Sequence, residues 1–231
     1  MPDFTKSAAD VDPPTVVDHV LLPVADLEDG AHRLHEQFGL QGTAGGRHPK
    51  VGTANVIVPL GSQYLELIAV VDPAEAAGSR LGRRVSRALE ERKTFLGWAL
   101  RTKDLDAVRR KLQAAGWDLP PLTEGSRNRP DGQVLSWRTQ DVDTGVESSA
   151  LPFVIEWHSP DGLHPGQAAT AHRGGVTALR KVVVGARDPR RVRQELQLLL
   201  GSSDLFEVRD GADDGIEELV LEDENEGFVI K

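Results

Sequence analysis

Three stretches of this chain repeat one order of apolar and polar positions: an apolar strand, an Asp, a helical apolar stripe and a Gly. The copies are VVDHVLLPVADLEDGAHRLHEQFG, FLGWALRTKDLDAVRRKLQAAG and LRKVVVGARDPRRVRQELQLLLG. Asp26 precedes Gly39 by 13 residues, Asp104 precedes Gly116 by 12 and Asp188 precedes Gly201 by 13, while the Asp residues are 78 and 84 apart. A period that long is a subdomain with its own strand and helix, larger than a solenoid repeat. Each Asp is placed to accept a backbone N–H at a helix start, Pro189 suits a first turn, and each Gly can take the left-handed conformation that ends a helix. Leu27, Ala31, Leu34 and Phe38 form one stripe, Leu105, Val108 and Leu112 a second, and Val192, Leu196 and Leu200 a third. Each helix therefore has one face for a sheet and one for water.

Between the repeats the pattern predicts further strands at Asn55–Leu60 and Gln63–Val70, joined by Gly61-Ser62, with a weaker one near Gln41–Ala44. Val134–Gln140 and Phe153–His158 follow the second helix. Leu205–Arg209, Glu217–Leu221 and a last stretch ending at Lys231 follow the third. The polar segment Asp72–Lys93 reads as a linker, helical from about Arg80 to Glu91, and Ser159–Gly175 as a second linker rich in Gly, Pro and His.

Composition narrows the class. With 231 residues, 39% hydrophobic and 27% charged, the chain can bury one sizeable core or two moderate ones. A formal charge of −9 argues against nucleic acid or an anionic membrane as a general partner. Without cysteine there are no disulfides, thiolate metal sites or cysteine nucleophile. No apolar run approaches the ~18 residues of a membrane span, and MPDFTKSAADVDPP has no signal-type apolar core, so a cytoplasmic location is expected. There is no G-x-S-x-G, P-loop, H-E-x-x-H or strand-following G-x-G-x-x-G, which sets hydrolase triads, nucleotide hydrolysis and dinucleotide chemistry aside.

A unit that opens VVDHVLLPVADLEDG, with a His on its first strand, and closes on SQYLELIAV, with a Glu on its last, resembles the vicinal-oxygen-chelate superfamily. GWALRTKDLDA, SRNRPDGQVLSWR, LPFVIEWHSP and HPGQAATAHRGGVTALRKVVV resemble more narrowly the phrases of glyoxalase-like domain proteins. The resemblance implies an α+β fold in which tandem βαβββ modules, residues 15–72 and 94–160, form an incomplete mixed β-barrel over residues 15–160. Residues 176–231 would be a third, similar module with a structural role. That module would either cover the first two or pair with its counterpart in a homodimer, and the dimer is the expectation.

Metal-using relatives draw His or Glu from the first and last strands of paired modules. The resemblance therefore points to His19 and Glu66 in the first module and Glu156 in the second, with Glu66 and Glu156 also able to move a proton. Seven residues before Asp104 and Asp188 stand Gly97 and Lys181, so the second module lacks a first-strand ligand. His158 is the substitute, because strand alternation puts it on the face of Glu156. Such a set suits an open divalent Mn, Fe, Ni or Zn site. A hydrogen-bonded His19 and an Arg-paired Glu66 would satisfy the same residues without metal.

Arg127, Arg129 and Asp131 surround the turn signal Pro130-Asp131-Gly132, ahead of the strand carrying Trp137. Guanidinium groups take carboxylates or phosphates bidentately and an aromatic beside them can stack on a planar molecule, so Arg127, Arg129 and Trp137 are candidates for substrate binding. Loop arginines paired with surface acids are the alternative. Trp98 and Trp157 read as core, and His164 and His172 as solvated. The expected function is a glyoxalase-like metalloenzyme of lyase, isomerase or dioxygenase type acting on a small vicinal-oxygen or carbonyl substrate. Its competitor is a metal-free small-molecule binding protein of the same fold.

Overall fold

The computed structural model describes residues 15–129, 132–142, 149–159, 162–223 and 227–231. The first half contains β1 (Val16–Pro23), α1 (Leu27–Phe38), β2 (Thr43–His48), β3 (Thr53–Leu60) and β4 (Gln63–Val70). Helices α2 (Pro73–Gly78) and α3 (Arg80–Glu90) lead to β5 (Gly97–Arg101), α4 (Leu105–Ala114), β6 (Thr123–Asn128), β7 (Val134–Gln140) and β8 (Phe153–Trp157). After a 3-10 turn at Pro165–Gln167 come β9 (Ala178–Ala186), α5 (Pro189–Leu200), β10 (Phe206–Asp210), β11 (Gly215–Glu222) and β12 (Phe228–Ile230). Among the described residues no helix is long and apolar enough to cross a membrane.

The helices begin where the pattern places them. Asp26, Asp104 and Asp188 accept from the N–H groups of Asp29, Ala107 and Arg191 at 2.9, 2.8 and 3.1 Å. Gly39 ends α1 at φ 67°, the left-handed geometry a side chain would resist. The polar strand β6 was not expected, because most of its side chains are exposed and no apolar alternation marks it.

Eight strands close into a barrel in the order β1-β4-β3-β2-β6-β7-β8-β5. In each half the last strand lies parallel beside the first, β4 on β1 and β8 on β5, and the halves meet antiparallel at β1 and β5. The opposite seam, β2 to β6, has one residue pair, Arg47 with Asn128. A Cβ at Gly46 would overlap the Asn128 carbonyl, so the bare glycine permits even this contact. The barrel is thus tight at one seam and barely closed at the other.

The C-terminal unit repeats the element order with different pairing. Here β10 lies parallel beside β9 and β11 antiparallel on its other side, giving β10-β9-β11-β12. Its apolar face is covered within the chain: Val182, Leu196 and Leu219 share one core with Val20, Leu22, Leu65 and Leu67 of the barrel wall. Phe228 stacks on Phe38, ring centroids 5.2 Å apart. This packing is the intrachain cover, one of the two arrangements expected for this unit.

Candidate functional site

On β1, β4, β5 and β8 both faces are buried, one by α1, α4 and the C-terminal unit and one around a cavity of about 670 Å³ that α3 also lines. Strand alternation decides which side chains enter it. On β4, Tyr64 and Glu66 point inward while Leu65 and Leu67 enter the outer core. On β8, Phe153, Ile155 and Trp157 line the cavity.

The same alternation corrects the expected ligand set. Glu156 lies between two inward residues and faces out, where it accepts from Leu105 N at 3.2 Å and from Arg138 Nη2 at 2.6 Å. Burial disfavours its charge, yet hydrogen bonds from Arg138, His158 and the start of α4 hold its carboxyl below the usual range. His158 reaches Glu156 Oε2 at 2.9 Å from an exposed position. Of the expected quartet, His19, Glu66 and His158 line the cavity and Glu156 does not, and His158 is bonded to the outward-facing Glu156. By ladder register Ala99 pairs with His19 and with Phe153, and Arg101 with Ile155, so the second half puts no imidazole or carboxylate at the matching inward positions.

His19 and Glu66 do meet. His19 Nε2 stands 3.5 Å from Glu66 Oε2, and both residues are buried on the cavity wall. His19 stacks on Tyr64 with centroids 4.5 Å apart, and burial pushes the Tyr64 phenol well above its ordinary value. Behind His19, a bulge in β1 leaves Asp18 fully buried, with Oδ2 2.8 Å from His19 Nδ1 and 3.2 Å from Trp157 Nε1. Asp18 Oδ1 meets His164 Nε2 at 2.8 Å and Arg101 Nη1 at 3.2 Å. Burial opposes its ionisation, but the bonds from His164 and His19 hold the carboxyl far below the carboxylate range. The Asp18 carboxylate accepts from Nδ1–H and fixes the ring so that Nε2 is the nitrogen that faces Glu66.

Asn55 on β3 completes the wall. Its Oδ1 accepts from Gly46 N at 2.9 Å and from Arg127 Nη1 at 3.2 Å. Those two donors fix the amide, so Nδ2 donates to Glu66 Oε1 at 2.7 Å and faces His48 Nε2 at 3.3 Å. The ε nitrogen of His48 is then an acceptor and its Nδ1–H serves Thr53 Oγ1 at 2.9 Å. Burial pushes the His48 imidazole down, with Glu66 opposing and Arg127 reinforcing.

Two imidazoles and a carboxylate are the donor types of an open divalent metal site. Their placement does not fit one. The lone pair of His48 Nε2 is taken by Asn55, Arg127 adds a buried positive charge beside Glu66, and among the described residues no three His, Asp or Glu are spaced to hold an ion.

Of the substrate-binding candidates, Arg127 and Trp137 line the cavity and Arg129 does not; its backbone forms the turn to Gln133, and Asp131 lies outside the described residues. Trp98 is core, as expected, whereas Trp157 lines the cavity. His164 and His172 are bonded rather than solvated: Gln41 N donates to His172 Nδ1 at 2.9 Å and His172 Nε2 meets the Pro59 carbonyl at 2.6 Å. Sequence reading missed Asp18, His48, Asn55 and His164. Asp18 beside His19 was the one available signal; Asn55 meets Glu66 and His48 across 11 and 7 residues only once β2, β3 and β4 pair, and His164 reaches Asp18 across 146.

Among curated proteins, no sequence matches this one. A hypothetical protein from Staphylococcus aureus shares the fold at TM-score 0.75 and 17% identity, over 91% of this chain and 92% of that one. Methylmalonyl-CoA epimerase from Mycobacterium tuberculosis aligns at TM-score 0.42 and 21% identity, over 61% and 85% of the two chains. A Streptomyces coelicolor methylmalonyl-CoA epimerase in complex with 2-nitronate-propionyl-CoA aligns at 0.45 and 16%, over 62% and 97%. The model of the glyoxalase-like domain matches residues 17–200, and with most of its length inside that match the chain belongs to the glyoxalase-like domain family.

Proposed function

We propose that this chain is an enzyme that moves a proton on a small carbonyl-bearing or vicinal-oxygen molecule held in the barrel. One observation carries the reading: a buried imidazole nitrogen, His19 Nε2, and a buried carboxylate oxygen, Glu66 Oε2, face each other across 3.5 Å at the cavity wall. A carboxylate and an imidazole side by side can take a proton from, and return one to, a substrate O–H or C–H presented beside them. Glu66 takes the proton in this scheme, and Asn55 keeps its other oxygen occupied so that Oε2 alone is free to act. His19, steadied by Asp18, accepts from or returns a proton to the neighbouring substrate oxygen. Of the reaction types implied by the family resemblance, lyase and isomerase chemistry are the two that a carboxylate–imidazole pair can carry by proton transfer.

A second reading, metal-free binding without turnover, is supported by the aromatic wall, where Trp137 and Trp157 meet edge to face with centroids 5.2 Å apart. Solvent deuterium exchange separates the two. Carbonyl compounds incubated in D₂O with the protein should lose the proton beside the carbonyl, and Glu66→Gln should stop the loss. Binding without exchange, in protein whose metal content has been measured and restored, would favour the binder.

A further inference from the structure

Arg127 is 3% exposed, and among the described residues it makes no ion pair; its hydrogen-bond partner is the neutral oxygen of Asn55, at 3.2 Å. Glu66 is near enough for its charge to act on Arg127, but Asn55 stands between them and bonds both. Burial pushes the guanidinium below its ordinary value, the mark of a charge left without full compensation. A guanidinium has five N–H donors in a planar fork, and one carboxylate can satisfy two of them. This fork lines the same cavity as His19 and Glu66, one side chain away.

The rest of the cavity is a mixed surface. Its apolar lining is Leu21, Leu96, Phe153, Ile155, Trp137 and Trp157, and Arg80, Arg84, Glu124, Arg138 and Asp141 stand among its other walls. The Trp137 indole lies against the bare backbone of Gly125, where any Cβ would overlap the ring. Phe153 and Trp137 meet His19 and His48 edge to face at 5.6 and 6.1 Å, so the cation, the imidazoles and the carboxylate stand directly beside an aromatic wall. The cavity volume suits a drug-sized molecule.

We infer that the ligand is a 2-hydroxy acid with an apolar, preferably aromatic, body. Its carboxylate lies on the Arg127 fork, its hydroxyl beside His19 Nε2 and Glu66 Oε2, and its body along Trp137 and Trp157. This inference rests on the proton-transfer reading for the placement of the hydroxyl, and on Arg127 and the tryptophans for the head and body. Two adjacent oxygens, one charged and one carrying a proton, match the order of the groups along the wall.

Calorimetry with 3-phenyllactate, 3-phenyllactamide and lactate tests it. The amide removes only the charge, and lactate removes only the ring. Phenyllactate should bind about tenfold or more tighter than either. Arg127→Met should erase the difference between acid and amide, and Arg127→Lys should restore only part of it. Acid and amide binding within about twofold of each other, lactate matching phenyllactate, or no binding of phenyllactate at millimolar concentration would each overturn the proposal. If Arg127→Met does not fold, the three ligands on the unaltered protein still decide. Acid-selective binding without deuterium exchange would leave this inference standing and remove the proton-transfer reading. Exchange on neutral ketones without acid selectivity would do the reverse.

Discussion

His164 Nε2 lies 2.8 Å from Asp18 Oδ1 although 146 residues separate the two. His164 belongs to the segment that leaves the barrel for the C-terminal unit, and Asp18 is the carboxylate behind His19. That segment is seated, not slack: Gly166 packs against the Gln63 carbonyl, where a Cβ would overlap it, and its N–H points to His164 Nδ1 at 3.2 Å. A residue outside the repeated modules thereby helps to set the tautomer of an imidazole inside them.

Asp18→Asn should weaken the site and the fold together. The amide can turn its NH₂ toward His19 Nδ1, and the substitution removes the carboxylate that accepts from Nδ1–H and orients Nε2 toward Glu66. Deuterium exchange is expected to fall about 10–100-fold, as when the partner of a functional histidine is lost. At pH 7 the variant should lose about 3 kcal/mol, since Arg101 keeps its charge without the buried carboxylate. Because the folded carboxyl is held below its unfolded value, Asp18 contributes its full stabilisation above about pH 4 and loses it as the pH falls toward the folded value. Urea titrations should therefore show the gap between wild type and variant narrowing below about pH 4; a constant gap would contradict the assignment.

The two glutamates on corresponding last strands should separate cleanly. Glu66→Gln is expected to fold and to lose exchange by about 100-fold or more. Glu156→Gln should leave exchange within about twofold and cost about 1–2 kcal/mol, from the weakened Arg138 pair and the start of α4. Exchange rates by proton NMR beside thermal melts read both effects.

The error over Glu156 has a physical source. The helix boundaries were legible because Asp26, Asp104 and Asp188 act locally, within three residues of their own positions. Strand parity was not, since Leu65 and Leu67 flank Glu66 as Ile155 and Trp157 flank Glu156, and both faces of the barrel wall are apolar. Where both sides of a strand are buried, alternation no longer marks the inside. His48 and Asn55 escaped notice for a related reason: β2 runs through Gly45-Gly46, which carries no hydrophobic signal, and its pairing with β3 emerges only in the sheet. Arg127 and Trp137 were legible as chemistry, and their placement on one cavity came from the barrel.

Gly125→Ala should push the Trp137 indole off β6 and alter the aromatic wall alone. Affinity for phenyllactate is expected to drop about 3–10-fold, the worth of one aromatic contact, with lactate affinity unchanged. Paired calorimetry on the two ligands checks it, and an equal loss for both would mean that the substitution disturbs Arg127 instead.

The C-terminal unit is expected to be indispensable to the barrel and to leave the protein monomeric. Leu179 N donates to Gln63 Oε1 at 3.1 Å, Phe228 stacks on Phe38, and Val182, Leu196 and Leu219 are fully buried in the core shared with β1 and β4. Burying each such side chain stabilises by about 1.5–3 kcal/mol, so removing the unit would cost a large part of the ~5–15 kcal/mol that a domain has. Deletion after Gly175 should therefore yield insoluble protein or a broad, non-cooperative melt, whereas the full chain should scatter light as a 25.1 kDa monomer. A dimer mass would instead assign pairing to β10 or β12, the two edges of the second sheet. A soluble, cooperatively melting deletion would show that the first two modules hold together without their cover.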